Sequence, residues 1–249
     1  MRDDLGEPVE LAAAPRRVVS LVPSLTESVA LSGPGILVGA TDWCTEPAGL
    51  DVPRVGGSKY PRVEDVLACE PDLVLANAEE NRPEDVAALR AAGVAVWVTY
   101  PRTVAEALVS LGRMFEVLRT GRPDWLDEAT AAWAEPYRGV PRRAVVPVWR
   151  RPWVWLGEDT FATDVLRHLG VTNVLRGPDR YPRLDPDRAL AEGPDLVVLP
   201  DEPYRFTRED GPEVFAPVPA ALCSGRHLTW YGPSLVEARR ILREQLATG

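Results

Sequence analysis

The chain has 249 residues, 45% hydrophobic and 26% charged, enough for one large α/β core or two smaller ones and inconsistent with a disordered chain. Its formal net charge of -9, from 37 acidic against 28 basic residues, disfavours a general nucleic-acid or anionic-membrane surface and favours neutral or cationic partners. No stretch approaches the roughly 18 consecutive apolar residues of a membrane span, and the opening MRDDLGEPVELAAAPRR lacks the apolar core of a signal peptide. Cys44, Cys69 and Cys223 form an odd set without CxxC spacing, which reads as reduced thiols. A cytoplasmic protein is therefore expected, with an exported one as the alternative if a leader has been removed.

Residues 17–22 (RVVSLV) are a short apolar run, read as a strand. The SLTE after it reads as a capping box, with Ser24 capping a helix and Glu27 three residues on. That helix ends near Gly33, GILVGATDW from Gly35 supplies a second strand, and a turn-rich segment over 45–58 leads into KYP. Residues 64–70 are predicted as a helix with Cys69 as a small core residue, 72–76 as a strand, 83–92 as a helix stopped by Gly93, and 94–100 as a strand. Continuous Val/Leu strands are expected where helices cover both faces of a parallel sheet. Helical spacing over 103–119, GRP at 121–123 and a second helical stretch over 124–137 read as a stiff connector.

The second half repeats this order. AVVPVW from Ala144 is predicted as a strand, 160–169 as a helix stopped by Gly170 and VTNVL as a strand, followed by RYPR, a helix and the strand DLVVL. KYPRVEDVLACEPDLVLANAEE (59–80) and RYPRLDPDRALAEGPDLVVLPDEP (180–203) are nearly the same sentence, with Pro71 and Pro194, and likewise Glu64 and Asp187, 123 positions apart. Two copies at so long a period imply two related lobes. The expected division is an N-terminal α/β lobe over 1–101, a helical connector with the backbone helix over 102–140, and a C-terminal α/β lobe over 141–249.

In an open α/β sheet, ligands bind beyond the carboxyl ends of the strands. The duplicated strands thus put Asn77-Ala78-Glu79-Glu80-Asn81 and Pro200-Asp201-Glu202-Pro203-Tyr204 at an inter-lobe cleft, with Glu79 matching Glu202, and Tyr60 and Tyr181 on the preceding loops. Trp43, the cluster Trp149, Trp153 and Trp155, and Trp230-Tyr231 offer aromatic walls for a flat or bulky ligand, while Trp97, Trp125 and Trp133 are expected to pack core. Lys59, the one lysine, is either a compact donor needed at this site or a chance survivor in a surface loop. Glu79, Glu80, Asp201 and Glu202 read as cation ligands with Cys44 or Glu46 nearby, as acceptors for an organic ligand, or as acids favoured at helix starts. With only His168, on a helix, and His227, in a short loop, no transition-metal cluster is available, so an organic or chelate ligand is favoured over bare metal. There is no GxSxG or HExxH; GGSK at 56–59 lacks phosphate-loop spacing, and SGPG at 32–35 has the wrong context for a dinucleotide, so no catalytic residue is assigned.

RRVVSLVPSLTE, VGGSKYP, the doubled PDLV strand and the helical connector resemble the helical-backbone metal receptor superfamily, the class III substrate-binding proteins that include cobalamin, haem and ferric-siderophore receptors of ABC importers. The segments at 56–59, 77–81, 180–182, 199–204 and 230–233 are similar to those of a signal-less branch of it. The resemblance covers nearly the whole chain and implies two Rossmann-like α/β lobes with parallel sheets, joined by a long backbone helix, with the ligand cleft between them. The residues assigned to the ligand are Trp43, Lys59, Tyr60, Glu79, Glu80, Asn81, Trp153, Tyr181, Glu202, Tyr204, Trp230 and Tyr231. By resemblance, Glu64 and Asp187 match acids that dock on a membrane permease, although first-turn acids also complement a helix dipole. The expected function is non-enzymatic binding of cobalamin, another corrinoid or a metal chelate by a monomer, with an ABC permease as partner only if a leader is missing. The alternative is an enzyme or metal-handling protein that uses the acidic, aromatic cleft on a cationic or metal-bound small molecule.

Overall fold

The computed structural model describes residues 1–33 and 35–248; Pro34, inside the SGPG segment, and Gly249 lie outside the described residues. The chain divides into two units, Met1–Pro101 with Glu106–Asp127 and Tyr231–Pro233, and Arg102–Ala105 with Glu128–Trp230 and Ser234–Gly249. The stretch expected as a separate connector is thus shared out between the units.

In the first unit β1 (Val18–Ser20), α1 (Pro23–Ser32), β2 (Leu37–Ala40), α2 (Val63–Ala68), β3 (Leu73–Asn77), α3 (Pro83–Ala91) and β4 (Ala95–Thr99) alternate. Their strands pair in parallel in the order β2-β1-β3-β4. Every residue of β3 is buried, as a central strand covered on both faces requires. Val19, Leu21, Val66, Val74, Leu89 and Val96 form the core, with Cys69 packed among them. The capping box predicted at Ser24 is not formed. Proline favours the first helical position because its φ is preset, so α1 begins at Pro23, Val22 holds the cap position without a side-chain bond, and Ser24 falls in the first turn. Two helices, α4 (Val104–Leu118) and α5 (Asp124–Trp133), follow β4.

The second unit holds β5 (Arg142–Val145), β6 (Pro147–Arg150), β7 (Trp153–Trp155), α6 (Phe161–His168), β8 (Val171–Asn173), α7 (Pro186–Leu190), β9 (Leu196–Pro200), β10 (Ala220–Cys223), α8 (Gly225–Thr229) and α9 (Leu235–Leu246). Its parallel sheet, read β8-β5-β9-β10, has the topology of β2-β1-β3-β4, and β9 stands 123 positions after β3 residue for residue. The run from Ala144, expected as one strand, is two: β5 ends at Val145, and β6 opens at Pro147 and turns into an antiparallel hairpin with β7. A proline has no N–H for a ladder and sits where a strand can begin.

Asp164 on α6 ties this unit together. Its Oδ2 accepts a hydrogen bond from the Val104 backbone N–H at the start of α4 (2.9 Å), its Oδ1 accepts from Arg167 Nε (3.0 Å), and His168 Nε2 stands 3.5 Å away. Burial opposes ionisation of Asp164, but the His168, Val104 and Arg167 contacts outweigh it and hold the carboxyl down at about 2. A depressed carboxyl stabilises the fold in full above its unfolded value of 3.8 and loses that contribution as pH falls through about 2. This amounts to about 2 kcal/mol. Asp164→Asn is therefore expected to lower stability by that order at pH 7 and to flatten the decline between pH 5 and 2, read from urea-unfolding midpoints.

Candidate functional site

In the first unit β2 and β3 flank β1 on opposite sides, so consecutive connections diverge at the carboxyl ends of β1 and β3. The loop 77–81 leaves β3 at that point. Asn77 Oδ1 accepts from the backbone N–H groups of Glu79 (2.7 Å) and Glu80 (3.1 Å), closing a tight turn. Asn81 Oδ1 accepts from the Asn77 N–H (2.8 Å), and Asn81 Nδ2 donates to Ser58 O (2.8 Å) and Leu21 O (3.3 Å). One side chain thereby ties β3, the end of β1 and the loop before α2.

Lys59 lies on that loop, and its Nζ donates to the Glu79 carbonyl (3.0 Å). Tyr60, 68% exposed, lies under the Arg82 guanidinium at 4.7 Å from the ring centroid, and Arg82 is in turn forked onto Asp85 (2.8 and 2.7 Å). Trp43, 67% exposed, lies against Gly57. Trp43, Lys59, Tyr60, Glu79 and Glu80 are thus gathered on the strand-end loops of one unit.

Two predicted ligand contacts are corrected. Asn81 is 2% exposed and its amide is spent on backbone groups; Tyr231 is 4% exposed, and its hydroxyl meets Asn77 Nδ2 (2.6 Å) and Thr99 Oγ1 (2.9 Å). Both brace the loop 77–81 from behind. Cys44 is not available as a ligand either. It is fully buried, accepts from Thr26 Oγ1 (2.9 Å) and lies 3.1 Å from Thr41 Oγ1, and burial pushes its thiol up. Among the described residues no group of three His, Cys, Asp or Glu side chains is arranged to hold a metal ion.

Burial first, then the neighbouring Glu79, pushes the Glu80 carboxyl up to about 7, against the pull of Lys59. A raised carboxyl favours the fold in full below its unfolded value of 4.5, and that contribution is lost as pH rises through about 7. Discounted for its partial exposure, this is about 2 kcal/mol. Glu80→Gln is expected to stabilise the protein by that order at pH 8 and not at pH 4; an unchanged pH dependence would show that the carboxyl is already ionised at neutrality.

The strand-end loops of the second unit are built differently. Asp201 N donates to Cys223 O (3.0 Å), as Ala78 N does to Thr99 O (3.0 Å), but Pro200 stands where Asn77 would. Here Asp201 Oδ1 accepts from the Gly225 N–H (2.6 Å). A Cβ on Gly225 would stand 2.6 Å from Glu202 N, so this approach requires glycine. Glu202 is exposed; burial and Asp201 push its carboxyl up, opposed by Arg226 and a hydrogen bond with Trp230. Trp230 is half-buried beneath the Arg226 guanidinium (5.5 Å), and Tyr181 is 44% exposed.

The tryptophan cluster lies on the β6–β7 hairpin. Trp155 is fully buried, Trp153 is stacked between Trp155 (5.8 Å) and Phe206 (6.1 Å), and Trp149, 44% exposed, meets the edge of Tyr204 (5.8 Å). Trp153 therefore belongs chiefly to the core ring stack. The Tyr204 hydroxyl donates to Asp210 Oδ2 (2.6 Å), and Arg150 bridges Asp210 and Glu213. His227 lies on α8 rather than in a loop, with Nδ1 2.8 Å from Ser224 Oγ. A groove of about 450 Å³ between α5 and α9 is lined by Arg239, Arg240 and Arg243. Arg239 there donates to Ala132 O and Glu135 O and so ties α9 to the end of α5, and Arg240 pairs with Glu237 and Glu244 along α9.

No family model matches the sequence. A vitamin B12-binding protein of Vibrio cholerae serotype O1 is 23% identical over 190 residues, 73% of this chain and 69% of its own length, and one of Photorhabdus laumondii is 23% identical over 200 residues, 76% and 72%. Among solved structures, the periplasmic heme-binding protein BhuT with two hemes superposes with a TM-score of 0.75 at 25% identity, over 93% of this chain and 98% of its own. The periplasmic vitamin B12 binding protein BtuF of Vibrio cholerae gives 0.74 at 19%, over 94% and 98%. These neighbours are periplasmic, which overturns the expected cytoplasmic location. All three thiols are free and buried, so their reduced state does not bear on the compartment. The repeated parallel sheets and these relatives bear out the resemblance to the class III substrate-binding proteins, the helical-backbone metal receptor superfamily.

Proposed function

We propose that this protein is a non-enzymatic solute receptor for a bulky metal-chelate cofactor of the cobalamin or haem class, taken up by the strand-end loops. The observation that carries this reading is the likeness to vitamin B12-binding proteins over about three quarters of the chain. In the first unit the exposed rings of Trp43 and Tyr60 suit a flat ligand, and Lys59, Glu79 and Glu80 supply donors and acceptors for its polar edge; Tyr181 and Glu202 are the corresponding exposed side chains of the second unit. Native mass spectrometry and an absorbance spectrum of the purified protein, then calorimetric titration with cyanocobalamin, haemin and ferric chelates, test it. Binding in the micromolar range or tighter is expected for one of them, and none below millimolar would sink the reading. Glu64 and Asp187 are exposed in the first turns of α2 and α7 and serve as docking acids for an ABC permease. Replacing both by alanine should abolish stimulation of such a permease and leave ligand binding unchanged.

A further inference from the structure

The polar network behind the loop 77–81 has one allowed direction. Thr99 Oγ1 donates to Ala76 O (3.1 Å), which uses its only proton. The Tyr231 hydroxyl must therefore donate to Thr99 Oγ1 (2.9 Å) and accept from Asn77 Nδ2 (2.6 Å). With its amide nitrogen committed there and to Thr99 O (3.1 Å), Asn77 turns Oδ1 toward the Glu79 and Glu80 backbone amides. Asn77 and Thr99 are both buried, so no water substitutes for the phenol.

Tyr231 arrives on a three-residue segment, 231–233, that belongs to the first unit although its flanks belong to the second. A Cβ on Gly232 would stand 2.9 Å from Ser28 Oγ and 3.0 Å from Ser24 O, so only glycine lets this segment lie against α1. The Tyr-Gly pair in WYGP is thus explained by position, tyrosine to reach the network and glycine to seat it.

We propose that Tyr231 is a positioning residue for the ligand face: its buried hydroxyl orients the Asn77 amide, which holds the backbone of Glu79 and Glu80 and so aims their carboxylates. The role rests on the reading of loop 77–81 as part of the ligand site. The groups that face Glu80 are Glu79, Lys59, the Cys44 thiol and Tyr231 itself.

Tyr231→Phe and, by an independent deletion in the same network, Thr99→Val test the assignment. Amide hydrogen exchange at Glu79 and Glu80 is expected to accelerate about tenfold or more relative to β1 in both variants. The Glu80 titration, followed by carboxyl carbon NMR, is expected to fall from about 7 toward the ordinary carboxyl range as the loop takes up water. Exchange at Glu79 and Glu80 rising no more than in β1, with the Glu80 titration unmoved, would reduce Tyr231 to core packing and overturn the proposal. If the phenylalanine variant does not fold, the valine variant decides. Cyanocobalamin titration is a separate arm: a tenfold loss of affinity in Tyr231→Phe supports both readings. Accelerated exchange with unchanged affinity supports the positioning role and counts against loop 77–81 as the binding face.

Discussion

Replacing Trp155 by alanine is expected to destabilise the second unit by about 3–5 kcal/mol. The indole is fully buried, stacks on Trp153 at 5.8 Å, meets the Phe215 edge at 5.9 Å, and donates through Nε1 to Leu184 O (2.9 Å). Its backbone N–H also donates to Pro182 O (3.0 Å), so the residue pins the segment that carries Tyr181. Trp155→Phe keeps much of the ring but strands the Leu184 carbonyl, and about 1–2 kcal/mol is expected for it. Urea unfolding with near-ultraviolet circular dichroism measures both; a loss below about 1 kcal/mol for alanine would mean the stack does not hold the hairpin.

Asn81→Ala is the larger test of the first unit, with an expected cost of about 2–4 kcal/mol because it leaves Asn77 N, Ser58 O and Leu21 O without a partner in a buried setting. With the loop 77–81 as the proposed ligand face, the loss falls there as well as on stability, since the same amide ties the loop bearing Lys59 to the loop bearing Glu79. On the proposed function, affinity for the chelate that binds in the calorimetric titrations should drop by about tenfold or more even under conditions where the variant remains folded. Asn81→Asp keeps the acceptor but removes both donated bonds and adds a third acid beside Glu79 and Glu80, so it should be at least as damaging. An Asn81→Ala protein with wild-type stability and affinity would mean that solvent or a neighbouring group takes over all three bonds.

The fold was legible where periodicity and repetition coincide. The shared PDLV segments located β3 and β9 to within a residue, and the alternation of buried runs with helices implied two parallel sheets. What escaped was decided by single residues. Pro23 moved a helix start ahead of an apparent cap, Pro147 cut an apolar run into a sheet strand and a hairpin, and the short β10 and α8 carry too few periodic positions to stand out. At the site, residue type announced polar and aromatic side chains at the strand ends but not what their atoms touch. Asn81 and Tyr231 look like ligand contacts in sequence because nothing local reveals that Ser58, Leu21, Asn77 and Thr99 already consume their polar atoms. Thr99 went unnoticed for the same reason: its role depends on a tyrosine 132 positions away.

The inclusion of Tyr231–Pro233 in the first unit bears on any attempt to dissect or recombine this protein. Neither unit is one continuous stretch of chain, so a gene fragment cut after the connector would lack the phenol that completes the Asn77 and Thr99 network. Such a fragment should express poorly, and supplying a peptide that spans 230–234 should restore part of its order. In chimeras made with related receptors, the N-terminal half and this short C-terminal insert must be exchanged as one inheritance unit, because a crossover that separates them pairs each loop with another protein's brace.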